Sequence, residues 1–219
     1  MQLNTDISQR VVIDASKLSW VPSPMAGVER RMLARDGQEP PRATSIVRYA
    51  PGSTFTQHTH PLGEEIIVLD GVFADEHGDY PAGTYIKNPP GSAHSPRSPV
   101  GCTLFVKLQQ MDAADTRRVV VRPADQRWSP GLVAGLSVMP LDQFGTTHTA
   151  LVRWAPGTYF SKHQHFGGEE IFVLEGTFQD EHASYPTGSW IRSPHLSVHQ
   201  PYSEPGCLIF VKVGHLQPH

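Results

Sequence analysis

One sequence pattern occurs twice in this chain, and that repeat restricts the folds it can adopt. Each copy contains three histidines and one glutamate at matched spacing. They are His58, His60, Glu64 and His94 in the first copy, and His163, His165, Glu169 and His199, each 105 residues further on, in the second. Repeats over most of a chain indicate duplicated units of a single fold. The sequence therefore predicts two domains, 1–112 and 113–219, each of ordinary domain size.

The segments around the histidines predict short strands joined by tight turns. Apolar runs such as Ile66–Leu69 end at turn dipeptides such as Asp70-Gly71, and the 20 Pro and 19 Gly suit frequent turns. Val28–Arg35 is a weak helix candidate, and the first copy carries three extra residues that we place in the Gly37–Pro41 turn. Many short, evenly spaced strands are typical of antiparallel sandwiches and small barrels. We predict an all-β protein of two tandem jelly-roll barrels, since that fold hides strand edges and leaves a lined interior.

The composition excludes several classes of partner. A net charge of −3 and a pI of about 6.4 give no electrostatic basis for binding nucleic acid. No segment approaches the roughly 20 apolar residues of a membrane span, and the first residues lack a signal-peptide pattern. Cys102 and Cys207 occupy equivalent repeat positions, which favours two buried thiols in separate cores. We therefore expect a cytoplasmic protein with reduced cysteines.

The repeated residues are those that bind transition metals. Residues i and i+2 of a strand face the same side, so His58 and His60 are predicted to enter one barrel together. A carboxylate such as Glu64 beside an apolar strand is costly to bury unless a cation compensates its charge. Hydrogen-bonded structural histidines would explain a single His-x-His, but not two matched sets. Imidazole and carboxylate suit Fe, Mn, Ni, Zn or Cu(II), so we expect one divalent metal ion per barrel without a preferred identity.

The spacing resembles the motifs of the cupin superfamily. Gly-x5-His-x-His-x3-Glu-x6-Gly, from Gly52 to Gly71 and again from Gly157 to Gly176, is similar to its first motif. The second motif is matched by Gly83, Pro89, Gly91 and His94, with Ser98 in place of Asn. In the second copy Leu196 replaces Gly and Ser203 replaces Asn, which leaves His195 as an alternative neighbour of the metal. The resemblance implies double-stranded β-helix barrels with the two sets of three histidines and one glutamate as metal ligands.

Within the cupins, the chain resembles the ChrR-type domain of zinc anti-sigma factors. The similarity lies in Gly-Glu-Glu-Ile-x-Val-Leu, in Asp-Glu-His and in the Gly-Cys strand of each copy. It implies a sensory or regulatory protein in which a small molecule or an oxidant reaches the metal. The N-terminal helical zinc domain by which such factors grip a sigma factor has no counterpart here, so direct sigma-factor binding is not expected.

An enzyme is the other interpretation of the same residues. Four protein ligands leave up to two positions on an octahedral ion, which suits a non-haem dioxygenase acting on a diketone or a hydroxylated aromatic. A storage protein is a weaker alternative, since intact ligand sets would be superfluous there. No residue is assigned a catalytic role, and the sequence leaves open sensor or enzyme, the native metal and whether both barrels are active. A homodimer is a further expectation, because sheet edges can pair between chains.

Overall fold

The computed structural model describes residues 1–37 and 41–217, and most of its regular structure is β-strand. The strands of the first half are β1 Val11–Asp14, β2 Val21–Pro22, β3 Val28–Asp36, β4 Arg42–Tyr49, β5 Ser53–Thr54, β6 His58–His60, β7 Glu64–Asp75, β8 Gly78–Pro81, β9 Tyr85–Asn88, β10 Ser92–His94, β11 Arg97–Ser98, β12 Cys102–Leu108 and β13 Val119–Val121. Those of the second half are β14 Ser129–Pro130, β15 Leu136–Phe144, β16 Thr147–Trp154, β17 Thr158–Tyr159, β18 His163–His165, β19 Glu169–Gln179, β20 Ser184–Pro186, β21 Ser189–Ser193, β22 Ser197–His199, β23 Tyr202–Ser203 and β24 Cys207–Val213. Short 3-10 turns lie at Ala15–Lys17 and Pro123–Asp125.

The chain forms two compact units, and each combines one long run of sequence with a short N-terminal segment. The first consists of Met1–Thr5 and Leu18–Gln126, with the sheet order β13-β9-β7-β12-β4-β3-β2. The second consists of Asp6–Lys17 and Arg127–His219, with the order β1-β21-β19-β24-β16-β15-β14. Thus β1, from the N-terminal segment, lies at one edge of the second unit's sheet, and β13, from the end of the long run, lies at the corresponding edge of the first. The division of the sequence into domains 1–112 and 113–219 stays a prediction.

The predicted all-β fold of two tandem jelly-roll barrels is confirmed. Alternation along the long strands builds each interior. On β7, Ile66 and Val68 face the first core, and β12, paired with β7, contributes Leu104 and Val106 to it. These side chains are almost fully buried. β19 and β24 repeat the arrangement in the second unit, where their apolar residues form a separate core. Strands that alternate in this way bury one face as a continuous apolar wall.

The weak helix candidate at Val28–Arg35 is wrong, since these residues lie in β3. This strand pairs along β4, and the register shifts between Met32 and Ala34. An extra residue in one strand moves the following side chains to the other face, which removes the strict alternation that identifies strands in a sequence. The pattern was therefore irregular although the backbone is extended.

Two further expectations concern the cysteines and the inserted turn. Cys102 and Cys207 are free and buried, each in the core of its own unit. The three-residue insertion placed in the Gly37–Pro41 turn lies mainly outside the described residues. No helix in residues 1–37 and 41–217 has the length and apolarity needed to cross a membrane.

Candidate metal centres

A short two-stranded ribbon positions the three histidines of the first unit. β6 carries His58 and His60 on one face, because residues two apart on a strand point the same way. β10 pairs with β6 antiparallel and sets His94 directly opposite His58. After a tight turn, in which the Gly63 N–H donates to the His60 carbonyl at 3.1 Å, the chain enters β7 at Glu64. The turn therefore returns the glutamate to the side of the histidines.

The distances in the first centre are close to those of groups that share one ion. The candidate ligand nitrogens of His58, His60 and His94 all lie within 4.8 Å of one another, and Nε2 of His60 is 3.1 Å from Nε2 of His94. Oε2 of Glu64 is 3.6 Å from Nε2 of His60 and 3.4 Å from Nε2 of His94. Ligands about 2.1 Å from one ion, at ordinary coordination angles, lie roughly 3.0–3.4 Å apart. The residues therefore fit a common ion.

The second unit repeats this geometry. β18 carries His163 and His165, and β22 sets His199 opposite His163. Nε2 of His165 is 2.9 Å from Nε2 of His199, while Oε2 of Glu169 lies 3.5 Å and 3.6 Å from those two atoms. The structure thus brings all eight candidate residues together in two groups. Their role as metal ligands stays a prediction.

The departure from the cupin motif at Leu196 does not displace His199. Leu196 adopts the left-handed conformation, with a φ of +64°, that the glycine of the motif would supply. His195 lies outside the imidazole group: its Nδ1 accepts the backbone N–H of Gly167 at 2.9 Å, and its ring packs on Phe166. Among the described residues, His199 is therefore the third histidine of the second centre.

A buried carboxylate stands behind the third histidine of each centre, and sequence reasoning missed both. Oδ2 of Asp75 lies 3.4 Å from Nδ1 of His94, and Oδ2 of Asp180 lies 3.8 Å from Nδ1 of His199. Such a partner holds the Nδ1 proton and leaves Nε2 free as a metal ligand. The sequence feature that could have identified them is the repeated Asp-Glu-His segment, but its composition is typical of an acidic surface turn. Its aspartates are buried, whereas the histidines that end it, at 77 and 182, are exposed.

An arginine and a tyrosine hold each aspartate. In the second unit, Nη2 of Arg10 lies 3.1 Å from Oδ2 of Asp180 and donates to the Tyr185 hydroxyl at 2.6 Å, and that hydroxyl donates to Oδ1 of Asp180 at 2.7 Å. In the first unit, Arg118 donates to Tyr80 at 2.8 Å, and Tyr80 donates to Asp75 at 3.0 Å. Arg10 immediately precedes β1, and Arg118 immediately precedes β13, the strands at the corresponding edges of the two sheets. Those strands therefore take part in fixing the histidine orientation.

Hydrogen bonding keeps both aspartates charged. Burial alone would raise the pKa of Asp75 and of Asp180, because it disfavours the ionised form. Hydrogen bonds from the neighbouring histidine, tyrosine and backbone N–H groups outweigh burial, so the pKa of each aspartate is lowered. In turn, burial alone would lower the pKa of His94 and His199, but the facing aspartate and the nearby glutamate raise it.

The protonation states of the other candidate ligands also suit a bound cation. Burial lowers the pKa of His60, and burial with the nearby His199 and His163 lowers that of His165 to about 3. These rings are therefore neutral near pH 7, the form that binds metals. Burial raises the pKa of Glu169 to about 7, and its Oε2 has no hydrogen-bond partner among the described residues. A buried carboxylate oxygen without a donor fits a site for a cation.

Replacing Asp75 by Asn should weaken metal binding at the first centre. The amide cannot stabilise the His94 Nδ1 proton as a carboxylate does, so we expect a roughly 10- to 100-fold loss of affinity. Competition with a chelator of known affinity measures it. Asp79→Asn is the matched control, because Asp79 is exposed and pairs with Arg97. Equal affinities of Asp75→Asn and the wild type would show that the aspartate has no orienting role.

The cavities beside the two centres differ in size. The first, about 530 Å³, is bordered by His58, His60 and Glu64 and by apolar side chains of β4, β7 and β12. The second, about 110 Å³, is bordered by His163, Glu169 and His199. Larger side chains narrow the second: Leu136 and Trp154 stand where the first unit has Val28 and Tyr49. Organic ligands of drug size occupy pockets of about 300–1,000 Å³, so only the first cavity is in that range.

Comparison with known proteins supports this fold. The ChrR Cupin-like domain model matches residues 8–112 and 116–217. No curated protein matches the chain at a significant level. A Nostoc punctiforme protein, provisionally described as a dioxygenase, has a TM-score of 0.79 at 16% identity over 95% of this chain and 84% of its own. Protein Ylba of E. coli has a TM-score of 0.72 at 14% identity, covering 98% and 94%. Oxalate decarboxylase of Lactobacillus farciminis has a TM-score of 0.66 at 13% identity, covering 94% and 86%.

Identities this low show a shared fold and carry no activity over to this chain. The family match is of a different kind, since it covers nearly the whole chain and falls once on each copy of the repeat. The chain belongs to the ChrR Cupin-like domain family and contains that domain twice.

Proposed function

We propose that each barrel binds one divalent transition-metal ion through three imidazoles and a carboxylate. The first site would use His58, His60, His94 and Glu64, and the second would use His163, His165, His199 and Glu169. Three features support this: the spacing of the donor atoms, the aspartates behind His94 and His199, and the unpaired oxygen of Glu169. Zn, Fe, Mn and Ni all accept this donor set. When bound, the metal supplies a Lewis acid that can polarise an oxygen-containing ligand.

We further propose that the protein is a metal-dependent small-molecule sensor whose receptor site is the first barrel. The observation that carries this is the unequal size of the cavities, about 530 Å³ beside the first centre and about 110 Å³ beside the second. The apolar walls of the first cavity would exclude water around a ligand and orient it against His58, His60 and Glu64. The second centre would serve chiefly to hold its own barrel together, since metal binding contributes directly to folding stability.

A non-haem dioxygenase acting on a diketone or hydroxylated aromatic is the second candidate. It is favoured by the same cavity, which is large enough for such a substrate beside the metal site. The lack of a suitable proton-transfer group among the described lining residues counts against the dioxygenase. Apart from the candidate ligands, the described lining contains two titratable side chains, Arg30 and Tyr49. Burial, with the nearby Glu64 and Cys102, raises the pKa of Tyr49 far above its usual value, which makes it unsuitable as a base.

The proposal predicts that small-molecule binding depends on the first centre alone. In saturation-transfer NMR of the metal-loaded chain against a panel of diketones, hydroxylated aromatics and carboxylic acids, His60→Ala should abolish binding. His165→Ala, the equivalent change in the other barrel, should leave it intact. Equal loss in both variants, or binding that persists in His60→Ala, would contradict a metal-dependent receptor site in the first barrel.

Oxygen uptake by the Fe(II)-loaded chain separates the two candidates. Uptake that accompanies binding of one compound and disappears in His60→Ala would establish the enzyme, whereas binding without uptake would support the sensor. A homodimer, a cytoplasmic location and the lack of direct sigma-factor binding stay predictions.

A further inference from the structure

Gln109 occupies a backbone position that favours glycine. It follows β12 with a φ of +59°. Residues other than Gly, Asn and Asp rarely adopt this left-handed region of the backbone. Its counterpart 105 residues later is Gly214, with a φ of +79°. The backbone contacts are also equivalent: Gln109 N–H donates to the Gly63 carbonyl at 2.9 Å, and Gly214 N–H to that of Gly168 at 3.1 Å. The first barrel therefore carries a side chain at an energetic cost that the second barrel avoids.

The Gln109 amide is buried with its donor end unpaired. The side chain is 8% exposed, and its Oε1 accepts the backbone N–H of Leu62. Only the oxygen can accept that N–H, so the amide orientation is fixed and Nε2 is the remaining donor. Among the described residues, Nε2 has no hydrogen-bond partner. Gln109 also lines the first cavity, together with His60 and Glu64.

Accepting the turn N–H does not by itself require glutamine here. In the second unit the equivalent N–H, that of Gly167, is accepted by His195 from a different segment. A buried amide donor without a partner costs about 1–3 kcal/mol. An unpaired donor of this kind beside a cavity indicates that a bound ligand accepts its hydrogen bond.

A second polar side chain marks the same cavity. Arg30 on β3 lines it, and the residue at the matching position on β15 is Val138. The match follows from the pairing, since Arg30 lies opposite Val47 and Val138 lies opposite Val152. Glu64, a candidate metal ligand, is the one acidic side chain among the described residues lining the cavity. With a divalent ion bound, the cavity would favour an anion.

We infer that the first barrel binds an organic carboxylate with an apolar body, and that Gln109 Nε2 donates a hydrogen bond to a carboxylate oxygen. This inference rests on the proposed receptor site and names the class of its ligand. Binding is non-covalent: the apolar walls cover the body of the ligand, and Gln109 faces its charged end. The second barrel, with Gly214 and Val138, lacks both groups and binds no such ligand.

The test uses benzoate, phenylacetate and hexanoate as probes, with toluene as the uncharged counterpart of benzoate. Titration calorimetry of the metal-loaded full chain should show carboxylate binding that Gln109→Glu weakens at least about tenfold. This variant keeps an oxygen for the Leu62 N–H but replaces the donor by a negative charge. Toluene affinity should stay within about twofold, since it uses only the walls. Gln126→Glu makes the same charge change outside the cavity and should bind all four probes as the wild type does.

Metal content and melting temperature, measured on the same samples, distinguish the possible failures. Two ions per chain and an unchanged melting temperature in Gln109→Glu, together with the loss of carboxylate binding, would establish the inference. Equal carboxylate affinity in Gln109→Glu and the wild type, or a metal-loaded wild type that binds toluene but none of the acids, would overturn it and leave the receptor site standing. A wild type that takes up no metal would overturn both.

Discussion

Replacing His60 by Ala should reduce the metal content from two ions per chain to one. Oε2 of Glu64 and Nε2 of His94 lie 3.6 Å and 3.1 Å from Nε2 of His60, so this imidazole is central to the first centre. Its removal leaves two imidazoles and a carboxylate for an ion that structural sites hold with four ligands. Elemental analysis after reconstitution with Zn, followed by extensive dialysis, measures the content.

His165→Ala provides the matched change in the other barrel. It should also leave one ion per chain, and the double variant should retain none, because the two groups lie in separate compact units. A single variant that keeps two ions would show that His60 or His165 is not a ligand. A single variant that loses both would show that the centres do not bind independently.

Replacing Gly71 by Ala should strongly destabilise the first unit. Gly71 has a φ of +71°, and an added Cβ would lie 2.9 Å from Cα of Cys102 and overlap the Gly101 carbonyl oxygen. Backbone strain and this overlap act together, because neither the turn nor β12 can move without breaking the strand pairing. We expect a loss of roughly 3 kcal/mol in the free energy of unfolding. Urea unfolding of the metal-free protein measures it.

Gly52→Ala separates strain from overlap. Gly52 has nearly the same φ, +77°, but nothing lies within 4 Å of its added Cβ. Only the conformational term remains, so we expect a loss of about 1 kcal/mol. If the two variants were equally stable, the close approach of Gly71 to the Gly101–Cys102 backbone would not exist in solution.

Gly71 also shows why the sequence predicted this fold so fully. The motif glycine, the His-x-His pair and the glutamate each have a local reason: a left-handed turn, a shared strand face and the start of an apolar strand. All recur at 105 residues. Two copies of the same local pattern remove most of the ambiguity that a single copy leaves. The eight residues that gather in the two centres were therefore accessible from spacing alone.

The features that the sequence did not predict depend on contacts between distant segments. Asp75 and Asp180 read as turn residues, because their burial follows from the return of β8 and β20 along β7 and β19. Arg10 and Arg118 precede similar valine-rich strands, and the repeat cannot tell which sheet each strand joins. The volume of a cavity depends on all the side chains that line it. The effect of Val28 and Tyr49 on the first cavity is therefore evident only by comparison with Leu136 and Trp154 in the second. Gln109 can be recognised as a candidate ligand-binding residue only when its φ and its unpaired amide are known.

Crystals of the metal-loaded protein, measured at the absorption edge of the metal, test the central claim most directly. The account predicts two anomalous peaks per chain. Each should lie within about 2.3 Å of three histidine Nε2 atoms and one glutamate oxygen: those of His58, His60, His94 and Glu64 for one peak, and those of His163, His165, His199 and Glu169 for the other. Peaks bound elsewhere, or fully reconstituted crystals with no peak at either group of histidines, would contradict it.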